Sequence, residues 1–147
     1  TRVERYKENF SLIIFDIDDF KQVNDSYGHQ VGDAILKNLA RFLKGNLRTS
    51  DFISRFGGEE FIAILPSTDM EKAKRVAEKM RHMLGKKVFE DKKGEIKIKI
   101  TVSIGISQCT PGDTVDNLIK RADDALYMAK NDGKNAIFTE ADLPVSK

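Results

Sequence analysis

Phe52-Ile53-Ser54-Arg55-Phe56-Gly57-Gly58-Glu59-Glu60-Phe61-Ile62-Ala63-Ile64-Leu65-Pro66 reads as two strands joined at a pair of glycines. Two glycines let a backbone turn tightly and approach a ligand closely. Two carboxylates follow at once, and the apolar run Phe61 to Leu65 has the character of a buried strand that Pro66 terminates. A glycine hairpin with acid at its tip suits a site for a nucleotide and its metal, although ordinary hairpins share these features one at a time.

Working outward, Leu12-Ile13-Ile14-Phe15 is an apolar run that reads as a central strand ending in Asp16-Ile17-Asp18-Asp19. After a polar stretch with Gly28 and Gly32, Val31, Ile35, Leu39, Phe42 and Leu43 recur at helical spacing. Thr68 with Glu71 has the form of a capping box opening a helix whose apolar face is Ala73, Val76, Ala77, Met80 and Leu84. Ile96, Ile98, Ile100, Val102, Ile104 and Ile106 alternate with period two, which predicts one long strand with a single buried face. Thr114 is placed to cap a further helix bearing Val115, Leu118, Ala122, Ala125 and Ala129, which Asn131-Asp132-Gly133 ends. Ala136-Ile137-Phe138 is a final short strand. This order predicts an α+β domain with a largely antiparallel sheet and helices packed against it. The expected bounds are a lead-in over 1–11, the domain over 12–140 and a tail over 141–147.

The 147 residues suit one domain, and a 40% hydrophobic, 33% charged composition describes a soluble globular chain. Basic and acidic residues nearly cancel, 25 against 23, so no global field recruits nucleic acid or a membrane. Anion binding has to be local. The single Cys109 excludes an intramolecular disulfide, suits a reducing compartment and lacks a basic partner that would activate it. No apolar run approaches bilayer length, so a cytoplasmic domain is expected, free of direct membrane contact even where a parent protein is anchored. Lys86, Lys87, Lys92, Lys93, Lys97 and Lys99 surround an expected hairpin at Gly94 and read as a solvated edge.

Asp16 and Asp18 are two apart at a strand end, so their side chains share a face. Clustered carboxylates repel unless a cation or protons neutralise them. Mg²⁺ takes a few carboxylates together with phosphate oxygens and water. If the hairpin pairs beside the first strand, Glu59 reaches the same ion as Asp16. Asn24 and Asp33, on either side of an expected glycine-containing loop over Gly28 to Gly32, offer the mixed amide and carboxylate that a guanine edge needs. They serve equally as a turn residue and a first-turn acid. Lys130 and Lys134 either complement a helix C-terminus or neutralise a triphosphate. His29 stands alone among polar residues, and no nucleophile–base pair suggests covalent catalysis.

Phe15-Asp16-Ile17-Asp18-Asp19-Phe20-Lys21, Asn24-Asp25, Tyr27-Gly28-His29, Gly32-Asp33, Arg55 through Phe61, Ser103-Ile104-Gly105, Ala122-Asp123 and Ala125-Leu126-Tyr127-Met128-Ala129-Lys130 occur in this order. The series resembles the GGDEF family of diguanylate cyclases, from about Leu12 to Phe138. The resemblance implies a palm-like fold of the adenylyl-cyclase/ferredoxin-like kind, and condensation of two GTP into cyclic di-GMP with release of pyrophosphate. It implies catalytic Asp16, Glu59 and Glu60, with Mg²⁺ or Mn²⁺ on Asp16, Glu59 and the Ile17 carbonyl. Asn24 and Asp33 would read guanine. Lys21, Lys130, Lys134 and the backbone around Asp19 and Phe20 would hold phosphates, with Gly57 and Gly58 lying against the nucleotide. A cyclic product further implies a homodimer.

Arg48-Thr49-Ser50-Asp51 forms an R-x-x-D pattern with five residues between it and Gly57, where the family has its inhibitory product site. Lys79 falls where some relatives supply an arginine to that site. Lys134 stands where an arginine is common, keeping the charge but losing bidentate geometry. The family's Asp-x-Leu-Thr-type segment is not seen before the first strand, so a catalytic module of a longer, sensor-bearing protein is expected. The competing expectations are a regulatory domain that binds GTP or cyclic di-GMP without turnover, and another palm-type nucleotidyl cyclase.

Overall fold

The computed structural model describes residues 9–144, so 1–8 of the expected lead-in and 145–147 of the expected tail lie outside the described residues. Five strands form a mixed sheet in the order β2 (Phe52–Arg55), β3 (Glu60–Pro66), β1 (Phe10–Ile17), β6 (Val102–Gln108), β7 (Ile137–Thr139). Every pairing is antiparallel except β6 with β7. With four helices packed on it, this is an α+β palm-like fold.

Helices α2 (His29–Gly45) and α3 (Met70–Lys86) cover one face of the sheet. Their apolar stripes, Ile35, Leu39 and Leu43 with Ala77, Met80 and Leu84, close on Ile13, Phe15 and Ile17 of β1. Helix α4 (Val115–Asn131) covers the other face, where Leu118, Ala122 and Leu126 meet Leu12, Ile14 and Ile62. Both faces of the two central strands are therefore buried, which is why β1 and β3 read as continuous apolar runs rather than alternating ones. The short helix α1 (Phe20–Tyr27) leads from β1 toward α2.

Four local expectations need correction. The Gly28 to Gly32 stretch is not a loop, because α1 and α2 meet at Gly28 (φ +92) and Gly32 lies inside α2. The long strand over 96–106 divides. Lys97–Ile98 is β5, paired with β4 (Phe89–Glu90) in a separate ribbon, and β6 begins only at Val102. Nor does β6 have one buried face, since Ser103, Gly105 and Ser107 lie as deep as its isoleucines. Finally, Asp69 caps α3 by accepting from the Lys72 amide (2.9 Å), whereas Thr68 is buried. Its Oγ1 donates to the Pro66 carbonyl and accepts from Arg48. Thr114 caps α4 as expected, accepting from the Asn117 amide.

Candidate active site

The register of β1 on β3 places Asp16 directly opposite Glu60, and the Ile17 amide donates to the Glu59 carbonyl at 3.3 Å. The hairpin thus pairs beside the first strand, and both of its acids come to Asp16. Burial raises the Glu59 carboxyl above its ordinary value, and the adjacent Asp16 carboxylate raises it further. Burial and contact with Asp16, reinforced by Asp123 and Glu59, push Glu60 up to about 7. Asp123 of α4 is itself raised, by burial first and then by Asp124 and Asp16. Three raised acids, Glu59, Glu60 and Asp123, therefore gather around Asp16.

The cation that answers them is Lys130, from the last turn of α4. Its ammonium lies 2.9 Å from Asp16 Oδ1, 2.8 Å from Asp18 Oδ1 and 3.3 Å from the Ile17 carbonyl. Burial works against its charge, but the bonds to Asp18 and Asp16 outweigh that and raise its pKa. Lys134 pairs with Asp19, so both lysines reach into the β1–α1 junction rather than merely ending a helix. Asp19 has a left-handed backbone (φ +56) where the chain turns from β1 into α1. Lys21 is exposed on α1.

On the hairpin's other side, a cleft of about 460 Å³ opens between α2 and β2, lined by Asp33, Leu36, Ile53, Arg55 and Phe61 among others. Asn24 is not part of that lining. Its Oδ1 is buried against Gly32 without a hydrogen-bond partner, beside the residue next to Asp33. Such an orphan acceptor carries a cost of about 1–3 kcal/mol until a donor reaches it. At the hairpin tip the Arg55 guanidinium donates to the Gly57 and Gly58 carbonyls, at 3.2 and 2.6 Å. Neither glycine has a left-handed backbone, and a Cβ on either would meet nothing within 4 Å. The expected conformational reason for glycine fails here, because the turn does not use it. What remains is close approach from outside.

Arg48 and Asp51 pair with each other. Nη2 and Nε of Arg48 lie 2.7 and 3.1 Å from Asp51 Oδ1, and Nη2 also donates to the Pro66 carbonyl and Thr68 Oγ1. These residues line a pocket of about 430 Å³ beside Phe52, and Lys79, exposed on α3, is not among them. The sequence pattern missed Asp123 as a fourth acid. It also missed the four bonds that converge on Asp18, because these come from residues more than 80 positions away.

Among the described residues no three His, Cys, Asp or Glu side chains form a ready-made metal cage. The oxygens of Asp16 and Ile17 nevertheless converge on one cationic point, the Lys130 ammonium, with Glu59 alongside. An all-oxygen partial shell of this kind suits Mg²⁺ or Mn²⁺, whose remaining positions water and phosphate oxygens fill. No helix among the described residues is long and apolar enough to cross a membrane.

Comparison with known proteins gives the family. A family model described as "Diguanylate cyclase, GGDEF domain" matches residues 1–136. The chain is 41% identical over 132 residues to the response regulator PleD of Caulobacter vibrioides, covering 89% of this chain and 29% of that protein. It is 42% identical over 131 residues to diguanylate cyclase DgcM of Escherichia coli K12, covering 89% of this chain and 31% of that protein. The chain thus spans about three-tenths of these relatives' length. Among solved structures, the GGDEF domain of DgcB from Caulobacter crescentus in complex with c-di-GMP superposes with a TM-score of 0.87 at 30% identity. That match covers 94% of this chain and 81% of the other. The active GGEEF domain of a diguanylate cyclase from Vibrio cholerae gives a TM-score of 0.82 at 35% identity, covering 92% and 85%. With the family model spanning nearly the whole sequence and the acids of the motif gathered at one point, the chain belongs to the GGDEF family of diguanylate cyclases.

Proposed function

We propose that this chain, with its domain over 12–140, is the catalytic part of a diguanylate cyclase that condenses two GTP into cyclic di-GMP and pyrophosphate. The observation that carries it is the meeting of Asp16, Glu59 and Glu60 across the β1–β3 pair, beside a bare glycine tip and a cleft of about 460 Å³. The guanine enters the cleft, where Asp33 accepts from its N1–H and amino group and the Asn24 amide completes the recognition. Gly57 and Gly58 let the nucleotide lie against the hairpin. The phosphates run toward the N-terminus of α1 and meet Lys21, Lys130, Lys134 and the backbone around Asp19 and Phe20.

Asp16, Glu59 and the Ile17 carbonyl would hold Mg²⁺ or Mn²⁺, which lowers the pKa of the attacking 3′-hydroxyl and neutralises charge on the transferring phosphate. Lys130 exchanges its contact with Asp16 for the phosphates once the nucleotide is in place. Glu60 would take up the proton that leaves the 3′-oxygen. Each domain holds one GTP, and the 3′-hydroxyl of one must attack the α-phosphorus of the other in line with the departing pyrophosphate. Two domains therefore work face to face as a homodimer.

The Arg48–Asp51 pocket binds the product and slows the enzyme, with Lys79 as a further cation. Among the described residues every side-chain hydrogen bond of Arg48 uses Nε or Nη2, which leaves Nη1 for a phosphate or guanine edge. The domain works in the cytoplasm without contacting nucleic acid or membrane. The test is incubation with GTP and Mg²⁺ followed by nucleotide separation, with Glu59→Gln in parallel. Cyclic di-GMP from the parent and almost none from the variant supports the proposal. GTP binding without product favours the regulatory alternative.

A further inference from the structure

Asp18 was set beside Asp16 by sequence spacing, yet its carboxylate faces inward. Its side chain is 2% exposed, and each of its oxygens accepts two hydrogen bonds. Oδ1 takes Ser103 Oγ at 2.6 Å and the Lys130 ammonium at 2.8 Å, while Oδ2 takes Thr101 Oγ1 at 2.6 Å and the Asn135 amide at 2.9 Å. A carboxylate with all its acceptor sites engaged has little left for a metal, but it fixes whatever donates to it. What it fixes is Lys130 and the loop that carries Lys134.

That loop needs fixing. Gly133, Lys134 and Asn135 have φ of +100, +65 and +48, three consecutive residues in a backbone region that side-chain-bearing residues rarely adopt. Such conformations persist only when the surroundings over-determine them. Here the surroundings are Asp19 on the Lys134 ammonium, Asp18 on the Asn135 amide, and Arg81 of α3 on the Asn135 side chain. Arg81 Nη1 donates to Asn135 Oδ1 at 2.8 Å, and Glu78 holds the guanidinium through Nε and Nη2 at 3.1 and 2.6 Å. An unbroken chain of bonds therefore runs from α3 on one face of the sheet, through Asn135 and Asp18, to Lys130 on the other.

We infer that Arg81, Asn135 and Asp18 are positioning residues that hold the phosphate-facing lysines, Lys130 and Lys134, in place for GTP. The inference rests on the cyclase assignment for its functional readout. It adds that Arg81 on α3, which touches neither the site carboxylates nor the cleft, sets the affinity for the triphosphate.

The test is a double-mutant cycle on Arg81→Ala and Asn135→Gly. Arg81 lies at the surface, and glycine accepts the positive φ of position 135 while keeping the amide bonded to Asp18, so both variants fold. Each single change is expected to raise KM for GTP about tenfold with a smaller effect on kcat, the usual scale for a group that orients a ligand-binding side chain. The double variant should do no worse than either single, because both remove one and the same tie. A merely structural role would lower the melting temperature and leave KM at the parental value, and would overturn the inference. Fully additive effects would overturn it too. A ligand-free measurement separates this inference from the cyclase assignment: hydrogen exchange at the Asn135 amide should quicken in Arg81→Ala. Unchanged exchange in Arg81→Ala sinks the tie even if the parent makes product, whereas quickened exchange in that variant, with a parent that makes none, sinks only the cyclase assignment.

Discussion

Gly105→Ala places a methyl group between the sheet and helix α4. Gly105 sits in β6 opposite Ile14 of β1 and Phe138 of β7, and its missing side chain faces α4. A Cβ there would lie 2.0 Å from the Ala122 carbonyl oxygen, 2.5 Å from the Leu126 nitrogen and 3.0 Å from the Leu126 Cα. All three are backbone atoms, so no rotamer change relieves the clash. The helix has to retreat by about 1 Å, which places the cost near the upper end of overpacking, about 3 kcal/mol. For a domain of this size that corresponds to a fall in Tm of roughly 6–12 °C, read by thermal unfolding with circular dichroism. The same helix brings Asp123 and Lys130 to the site, and a misplacement of about 1 Å costs on the order of 100-fold in rate. Turnover should therefore fall further than the folded fraction explains. Gly85→Ala in α3 is the control: nothing lies within 4 Å of its Cβ, and it should stabilise by about 0.5 kcal/mol. A Gly105→Ala protein with parental Tm and turnover would refute the close seating of α4.

Other expectations concern separate parts of the molecule. Arg48→Ala should relieve inhibition by added cyclic di-GMP and leave initial rates at low product unchanged, and retained inhibition would remove the product from that pocket. Turnover per domain should rise with protein concentration through the assembly range and then level off, whereas a constant specific activity would contradict two domains working face to face. At the far end of α4 the Arg121 guanidinium, with bonds at 2.7 Å, holds the buried Asp113 carboxyl down to about 2. Because the folded pKa lies below the unfolded 3.8, the pair stabilises fully above about pH 4 and is lost as pH falls toward 2. Asp113→Asn should therefore lower Tm at neutral pH, with the gap to the parent closing across that window. A constant gap would remove the ion pair from the acid-unfolding account.

The hairpin, the central strand and the amphipathic faces of α2, α3 and α4 were legible because each is a local pattern that burial enforces. The run from Ile96 to Ile106 misled because alternation reports exposure, not continuity. Ile96 and Ile98 pack on the core from the β4–β5 ribbon, and Ile104 and Ile106 do so from the main sheet. The first turn of α3 hid its cap because Thr68, the better-looking candidate, is drawn into the Arg48 cluster. Asp16 and Glu59 were legible as partners once the hairpin was placed beside β1. Asp18 was not, since its oxygens are satisfied by Thr101, Ser103, Lys130 and Asn135, which only the closed fold brings near. The fourth acid, Asp123, is likewise an ordinary helix-surface residue until α4 docks over β1.

The central claim is that one divalent cation is shared by the end of β1 and the tip of the hairpin beside a bound nucleotide. Mn²⁺ titration followed by electron paramagnetic resonance, in the presence of a non-reactive GTP analogue, addresses it without relying on turnover. Tight binding by the parent, weakened at least about tenfold in both Asp16→Asn and Glu59→Gln, is the predicted result. Parental Mn²⁺ affinity in both variants would contradict it.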